Sequence, residues 1–177
     1  GVNRETLLEI GCGTGMHLFA LAGQFKRAIG TDLSPKMIRA AEALRATRQD
    51  KEKIHFVCDA AGRLDSIDAN TIDTVICIGA FEHMTDKQKV LQQVKRVLKP
   101  GGQFICLTPN ADYCWYRVIS PWLVMDSKHL SSDRFISLPD VIVMLQQRHG
   151  YPCQTKLSLE LEAKKVGLTS RTGHSAV

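Results

Sequence analysis

The sequence lacks the features that would assign it to a membrane-spanning or disulfide-rich class. No apolar run among its 177 residues approaches the roughly 20 residues that cross a bilayer. Its six cysteines form no CxxC pair, and Cys58, Cys77 and Cys106 lie inside apolar strand-like runs, where a reduced thiol behaves as a small hydrophobic side chain. We therefore expect a reducing, cytoplasmic compartment.

A concentrated basic patch is also missing. The chain carries 23 Lys and Arg against 18 Asp and Glu, a formal net charge of +5, but the basic residues are spread out and not interleaved with aromatic ones. This distribution favours a solvated surface over a nucleic-acid interface, and nothing in it indicates an oligomeric state. No leader peptide is visible, because the chain begins at Gly1 almost on its first strand; we expect any targeting segment to precede this sequence.

A glycine-rich turn at the end of an apolar strand is the most informative feature that is present. It reads EIGCGTG over residues 9–15, and a helix-compatible run follows from Met16. Glycine allows both a sharp strand-to-helix turn and close approach of the backbone to a ligand. A pyrophosphate needs the positive end of the helix, which Glu9 opposes, and the last glycine of a dinucleotide fingerprint would fall at Met16. The turn therefore predicts a nucleotide-type pocket that suits a cationic ligand better than NAD.

Strand and helix signals alternate at short spacing through the first 110 residues. This alternation predicts an α/β fold: a Rossmann-like, doubly wound, mostly parallel sheet with helices on both faces. Ser34 and Pro35 are typical of a helix start. The helix beginning near Asp86 is predicted to carry Leu98 on its apolar face and to end at Pro100.

The length predicts a single domain over residues 1–177, with a ligand-binding core at 1–110. Residues 111–138 mix aromatic and polar side chains in a stretch too long for an ordinary connection, so we predict a substrate lid there. Residues 139–177 are expected to form a short helix and one half-buried strand. A second strand is not evident after it, which predicts an incomplete C-terminal edge of the sheet.

Polar side chains follow all five predicted strands. In an open parallel sheet, ligands bind outside the carboxyl ends of the strands, so this pattern predicts a site at that edge. Asp32 follows Gly11 by 21 positions, the distance at which an acid on the second strand reaches the ribose hydroxyls of a bound nucleoside. An Asx-type turn before Ser34 is the alternative interpretation of Asp32. The residues at the strand ends are Glu9, Asp32, Asp59, Glu82 with His83, and Thr108 with Asn110.

The motif at residues 9–15 resembles motif I of the class I S-adenosylmethionine-dependent methyltransferases. The segments IDTV at 72–75 and KRVLKPGG at 95–102 resemble that family's fourth strand and the turn before its fifth, so the resemblance covers about residues 7–110. GAFEHM at 79–84 is similar to the branch acting on small molecules, which includes ubiquinone-type O-methyltransferases. Some of those carry a further acid where this chain has Gly79, so no metal ligand is predicted. The resemblance implies S-adenosylmethionine as the cofactor.

The resemblance also implies roles for individual residues. Asp32 would bind both ribose hydroxyls, and Asp59 would accept from the adenine amino group, although a structural role for Asp59 stays open. The remaining residues predicted to bind the cofactor lie beside the adenine or face the methionine portion: Glu9, Gly11, Cys12, Gly13, Gly15, Leu33 and Ala60.

A hydroxyl acceptor must lose a proton, which makes His83 the first candidate for the catalytic base. A substrate contact or a structural role are the alternatives for His83, and His129 on the predicted lid is a second candidate. Glu82 and the aromatic residues Tyr113, Trp115 and Tyr116 are predicted to contact the acceptor, with ordinary packing as the alternative for the aromatic ones.

The sequence thus predicts methyl transfer to a small-molecule acceptor through an O, N or C atom. The base N-methyltransferase motif, Asn or Asp followed by two prolines and an aromatic residue, is missing after the fourth strand. Two alternatives stay open: a non-catalytic cofactor-binding or scaffolding domain of the same fold, and an NAD-dependent oxidoreductase, which the glycine pattern disfavours.

Overall fold

A computed structural model describes residues 5–110, 136–137 and 140. Short 3₁₀ turns lie at Ala22–Gln24, Lys51–Lys53 and Phe81–His83. In chain order the strands and α-helices are β1 (Thr6–Ile10), α1 (Met16–Leu21), β2 (Arg27–Asp32), α2 (Pro35–Ala46), β3 (Ile54–Cys58), β4 (Ile72–Ile78), α3 (Lys87–Val97) and β5 (Leu98–Leu107).

The five strands form one sheet in the order β3-β2-β1-β4-β5, and every pair is parallel. In register, Leu7 of β1 lies between Ala28 of β2 and Thr74 of β4. The chain runs outward from β1 to β3 and then returns to β4, so the strand order reverses between β1 and β4. This reversal is where such sheets bind ligands.

Helices cover both faces of the sheet. Because side chains alternate along a strand, Leu7 packs with α1 and α2 on one face, while Leu8 packs with α3 on the other. From Leu7 to Ile10 every residue of β1 is buried, as expected for a central parallel strand covered on both sides. The predicted α/β fold, with a doubly wound parallel sheet, is confirmed.

Two helices begin with side-chain caps directly after the loops that follow β2 and β4. The Ser34 hydroxyl accepts a hydrogen bond from the Met37 amide at 3.4 Å, with Pro35 as the first helical residue, as predicted. The Asp86 carboxylate accepts from the Lys89 amide at 2.9 Å. These caps fix the starts of α2 and α3 beside the carboxyl ends of the strands.

The predicted boundary between α3 and β5 was wrong. Leu98 is already the first residue of β5 and pairs with Ile72, whereas the next pairing joins Thr74 to Gln103. The residues between them form a bulge, in which a side chain at Gly102 would approach Leu98 Cδ2 to 2.9 Å. Leu98 is buried in the core on the α3 face of the sheet. Because its side chain packs there, β5 begins at Leu98, before Pro100.

The predicted lid at 111–138 and the predicted C-terminal helix and strand at 139–177 fall almost entirely outside the described residues. Within them, Ile136 forms an isolated parallel bridge with Asn110. None of the described helices is both long and apolar enough to cross a membrane.

Candidate functional site

A cavity of about 800 Å³ opens at the carboxyl ends of the strands, at the reversal of strand order. A volume of this size falls in the range of small-molecule sites, roughly 300–1,000 Å³. Its walls come from the loops after β1, β2, β3 and β4. Those loops contribute Gly11, Gly13, Asp32, Leu33, Asp59, Ala60, Ala80, His83 and Met84, among others.

The three glycines of the loop after β1 differ in the space around them. All three have positive φ, from +53° to +83°. A Cβ on Gly11 would lie 2.5 Å from the Ala80 Cβ, and one on Gly15 would lie 2.6 Å from Phe56 Cζ. At Gly13 no heavy atom lies within 4 Å of such a Cβ, and Gly13 borders the cavity. Gly11 and Gly15 therefore permit close packing, whereas Gly13 leaves room for a ligand.

Asp32 joins the ends of the first two strands. One carboxylate oxygen accepts from the Gly13 amide at 2.9 Å, and the other accepts from the Ser34 amide at 2.8 Å. The second bond is the Asx-type turn that the sequence allowed as an alternative. A carboxylate offers about four acceptor positions, so these two bonds leave capacity for hydroxyl donors from the cavity. Leu33 beside it is 73% exposed and adds an apolar surface to the wall.

Asp59 follows β3 and is held from one side. It is 8% exposed, and its Oδ2 accepts from both the amide and the hydroxyl of Ser66, at 2.9 and 2.6 Å. Among the described residues, no group donates to its Oδ1. Its own amide donates to the Asp32 carbonyl at 3.1 Å, which keeps the two acids adjacent along the cavity wall. A structural role is thus present, and one oxygen remains available to a ligand.

Glu9 lies beneath the glycine loop and does not line the cavity. Its side chain is fully buried, accepts from the Leu18 amide at 3.1 Å and lies 3.1 Å from Nδ1 of His17. Burial raises the pKa of Glu9 and outweighs these hydrogen bonds. The carboxylate lies at the amino end of α1, where it faces the positive end of the helix dipole.

Cys12 and Gly15 also lie behind the cavity wall. Cys12 is buried, and its sulfur would lie 2.9 Å from a Cβ placed on Gly30. Burial also raises the pKa of the Cys12 thiol, which disfavours the nucleophilic thiolate form. Glycine signals at 11, 13 and 15 look alike in sequence, and only the packing separates those that reach the cavity.

The segment after β4 carries the predicted catalytic residue. His83 is exposed and lines the cavity, at the end of the Phe81–His83 turn. Glu82 is buried, and its carboxylate accepts from the Thr108 hydroxyl at 3.0 Å, so it links β4 to β5 and does not line the cavity. Lys87, itself 8% exposed, donates to the Met84 carbonyl at 2.9 Å and fixes the turn from below.

Several cavity residues were not predicted from the sequence. Met37, Met84 and Lys89 line the wall, as do residues 61–63 after Asp59. Met37 and Lys89 lie in the first turns of helices that start directly after strand ends, which is the available signal for them. The predicted lid residues His129, Tyr113, Trp115 and Tyr116 lie outside the described residues. In the described ranges, no group of three or more His, Cys, Asp or Glu side chains is arranged to hold a metal ion.

Comparison with known families identifies the family of the chain. A family described as a methyltransferase domain matches residues 8–106, more than half of the chain. The chain belongs to this methyltransferase family. The resemblance to class I S-adenosylmethionine-dependent methyltransferases is thereby confirmed.

Curated relatives of the domain have different acceptors in their names. A probable S-adenosylmethionine-dependent methyltransferase of Saccharomyces cerevisiae is 36% identical over 57% of this chain and 34% of its own length. A ubiquinone biosynthesis O-methyltransferase of Idiomarina loihiensis is 29% identical over 70% of this chain and 48% of its own. A tRNA U34 carboxymethyltransferase of Shewanella halifaxensis is 29% identical over 60% and 32%. The chain thus spans about a third to a half of these relatives.

Solved structures agree on the fold. The YcgJ protein of Bacillus subtilis superposes with a TM-score of 0.69 at 24% identity, over 81% of this chain and 61% of that one. The cyclase SpnF superposes with a TM-score of 0.65 at 19% identity, over 82% and 50%. Since one of these neighbours is described as a [4+2]-cyclase, the fold alone does not decide the reaction.

Proposed function

We propose that this domain binds S-adenosylmethionine in the strand-end cavity and transfers its methyl group to a small-molecule acceptor. The observation that carries the proposal is the pair of adjacent carboxylates, Asp32 and Asp59, in the wall of a cavity beside Gly13. Two acids suit a donor that has hydroxyl, amino and sulfonium groups and no phosphate.

The hydrogen bonds of the glycine loop argue against a pyrophosphate cofactor. The Gly13 amide already donates to Asp32, and the Leu18 amide donates to Glu9. These are two of the backbone donors that a phosphate would need at the start of a helix. The buried Glu9 carboxylate also offsets the positive end of α1, so a dinucleotide would meet like charge at this position.

The cavity residues fit the parts of the cofactor. Asp32 has acceptor capacity for two ribose hydroxyls, Asp59 Oδ1 for the adenine amino group, and Leu33 and Ala60 supply apolar surface for the ring. Gly13 leaves room for the methionine portion, and Gly11 allows the loop to pack against Ala80. Glu9 accepts from the Leu18 amide and so holds the start of α1 behind the loop. When bound, S-adenosylmethionine would supply the methyl group carried by its sulfonium sulfur, with S-adenosylhomocysteine as the leaving group.

His83 is the proposed base on the acceptor side. His83 borders the cavity together with Ala80 and Met84, on the loop after β4, and β1 separates β4 from the two strands that carry the acids. If the acceptor is a hydroxyl, a ring nitrogen of His83 takes its proton during transfer. Alignment of donor and acceptor lowers the activation barrier further. In well-oriented reactions this effect is on the order of 7–11 kcal/mol.

The small-molecule acceptor is supported by the relatives named for ubiquinone biosynthesis and for norajmaline N-methylation. Relatives named for tRNA U34 keep a tRNA acceptor as the second candidate. A scaffolding role without catalysis predicts cofactor binding and no turnover of either acceptor class.

Calorimetric titration with S-adenosylhomocysteine tests cofactor binding. Asp32→Ala removes the ribose acceptors and the bond to Gly13, so we expect its affinity to fall by about a hundredfold, as for two lost hydrogen bonds to a charged group. Glu52→Ala is the matched control, because Glu52 is exposed at the opposite end of β3. Equal affinities in wild type and Asp32→Ala would contradict the proposal.

Methyl transfer itself is measured with labelled S-adenosylmethionine against metabolite pools and total tRNA in parallel. We expect label in the metabolite fraction, and a loss of about 10²–10⁴-fold in His83→Ala with unchanged S-adenosylhomocysteine binding. Label confined to tRNA supports the second candidate, and binding without any transfer supports the scaffold.

A further inference from the structure

One arginine outside the cavity is bonded to the segment that forms the cavity wall after β3. We call residues 59–67 the wall segment, since Asp59 to Arg63 line the cavity. Arg96 lies in the last turn of α3 and does not line the cavity. Its guanidinium donates to the carbonyls of Leu64 at 2.8 Å, Ile67 at 2.9 Å and Arg63 at 3.3 Å.

The bonds of Arg96 surround a strained residue. Leu64 has a φ of +49°, which is unusual for a residue with a branched side chain, and its side chain is fully buried. Such a conformation persists only where surrounding groups hold it. Arg96 binds the carbonyl of Leu64 and that of the residue before it, while Gln93 accepts from Arg96 Nε at 2.7 Å and orients the guanidinium.

The turn at Leu64 determines where the wall segment places its acid. Before it, Ala60 accepts from the amides of Arg63 and Leu64, at 2.8 and 3.0 Å. Two residues after it, Ser66 returns to donate twice to Asp59. A change of backbone direction at Leu64 would therefore move Ser66 and release the Asp59 carboxylate.

We propose that Arg96 is a positioning residue for the adenine end of the site: by clamping the wall segment it holds Asp59 where it accepts from the ligand's amino group. This inference rests on the proposed function. A basic residue at the carboxyl end of a helix commonly interacts with that helix's own dipole. Here the donors are directed to the carbonyls of another segment, a fork geometry that one lysine ammonium cannot reproduce.

The first test needs no ligand. Amide hydrogen exchange over residues 60–67 is compared in Arg96→Lys, Arg96→Met and the control Arg48→Met. Arg48 is a suitable control, because it pairs with Asp50 at 2.8 Å and donates to the Phe19 carbonyl away from the cavity. We expect exchange in both Arg96 variants to be about tenfold faster, as for loss of hydrogen bonds to a charged group, and unchanged in the control. Unchanged exchange in the Arg96 variants overturns the proposal.

The second test measures base recognition by calorimetry. The wild type is expected to prefer S-adenosylhomocysteine over its analogue with purine in place of adenine by about tenfold, the value of one charge-assisted hydrogen bond. The Arg96 variants should lose most of this preference, and Arg48→Met should keep it. Gln93→Ala removes only the hydrogen bond from Arg96 Nε, so it should lose part of the preference for adenine. This variant replaces the Arg96 variants in the test if they do not fold.

The outcomes separate the two proposals. Faster exchange together with a retained preference overturns the positioning role and leaves Arg96 with a structural one. A wild type that binds S-adenosylhomocysteine without preferring adenine overturns the role of Asp59, and with it that of Arg96. No binding of S-adenosylhomocysteine by the wild type overturns the proposed function itself.

Discussion

At the scale of single residues, residues of the same type have different structural roles. The alternate glycines of the loop after β1 share a left-handed backbone, yet only Gly13 faces open space next to the cavity. The acids differ in the same way, since Glu9 is buried behind the loop and Asp32 lines the wall. The role of each residue follows from its neighbours, which are distant in sequence.

Replacing two of these glycines by alanine should separate binding from folding. A positive φ costs about 1–2 kcal/mol for alanine. Gly13→Ala should add little to that cost but should weaken S-adenosylhomocysteine binding about tenfold or more, because its methyl group enters the cavity. Gly15→Ala forces a carbon against Phe56 and should destabilise the domain by about a further 1–3 kcal/mol.

Denaturant unfolding and calorimetry on both glycine variants check this prediction. Normal binding by Gly13→Ala, or a Gly15→Ala variant as stable as Gly13→Ala, is inconsistent with the assignment of the two positions.

Glu9 should make stability depend on pH with a definite sign. Burial raises its pKa in the folded state, so the folded state binds the proton more tightly than the unfolded chain does. Its contribution to the free energy of unfolding is complete below the unfolded carboxyl pKa and declines as pH rises through the folded pKa.

Unfolding of wild type and Glu9→Gln over a range of pH measures this contribution. We expect the stability of the wild type relative to Glu9→Gln to fall as pH rises above the ordinary carboxyl range and then to level off. A difference that grows with pH would mean that the ionised form is the stabilised one.

At the scale of elements, the two ends of the sheet have separate tasks. The carboxyl ends carry the cavity, while at the amino ends the buried Asp73 accepts from the Thr6 amide at 3.0 Å and from Lys99 at 2.8 Å. These bonds join β1, β4 and β5 at the end of the sheet opposite the cavity, and Asp73 does not line the cavity. We therefore expect Asp73 to contribute to folding and not to ligand binding.

Asp73→Ala should lower the free energy of unfolding by about 2–3 kcal/mol, because the partly buried Thr6 amide and Lys99 ammonium lose their acceptor. Binding of S-adenosylhomocysteine below the unfolding temperature should stay within about twofold, a change of less than 0.5 kcal/mol. Weaker binding in proportion to the lost stability would show that the two ends of the sheet are coupled.

Element positions were largely predictable from hydrophobic periodicity and caps, and the residues that start α2 are a direct example. The junction of α3 and β5 was not, because Leu98 suits a helix face and a buried strand equally well in periodicity. The link from Arg96 to the wall segment was likewise invisible. It spans 29 to 33 positions and depends on a backbone turn at Leu64 that no local signal marks.

At the scale of the whole domain, the parallel sheet explains why acids far apart in sequence share one cavity. Strands of equal direction bring their carboxyl ends to one edge, so the loop after each strand contributes to the same wall. This rule made the location of the site predictable. It did not say which side chains turn inward, since that depends on the packing of α1, α3 and the wall segment beneath them.

A crystal structure of the domain with S-adenosylhomocysteine would show whether Asp32 and Asp59 bind the adenosine. We expect both ribose hydroxyls within hydrogen-bond distance of Asp32, about 2.7 Å, and the adenine amino group beside Asp59. An adenosine bound elsewhere, or ribose hydroxyls directed away from Asp32 with its bonds to Gly13 and Ser34 as its only partners, would contradict it.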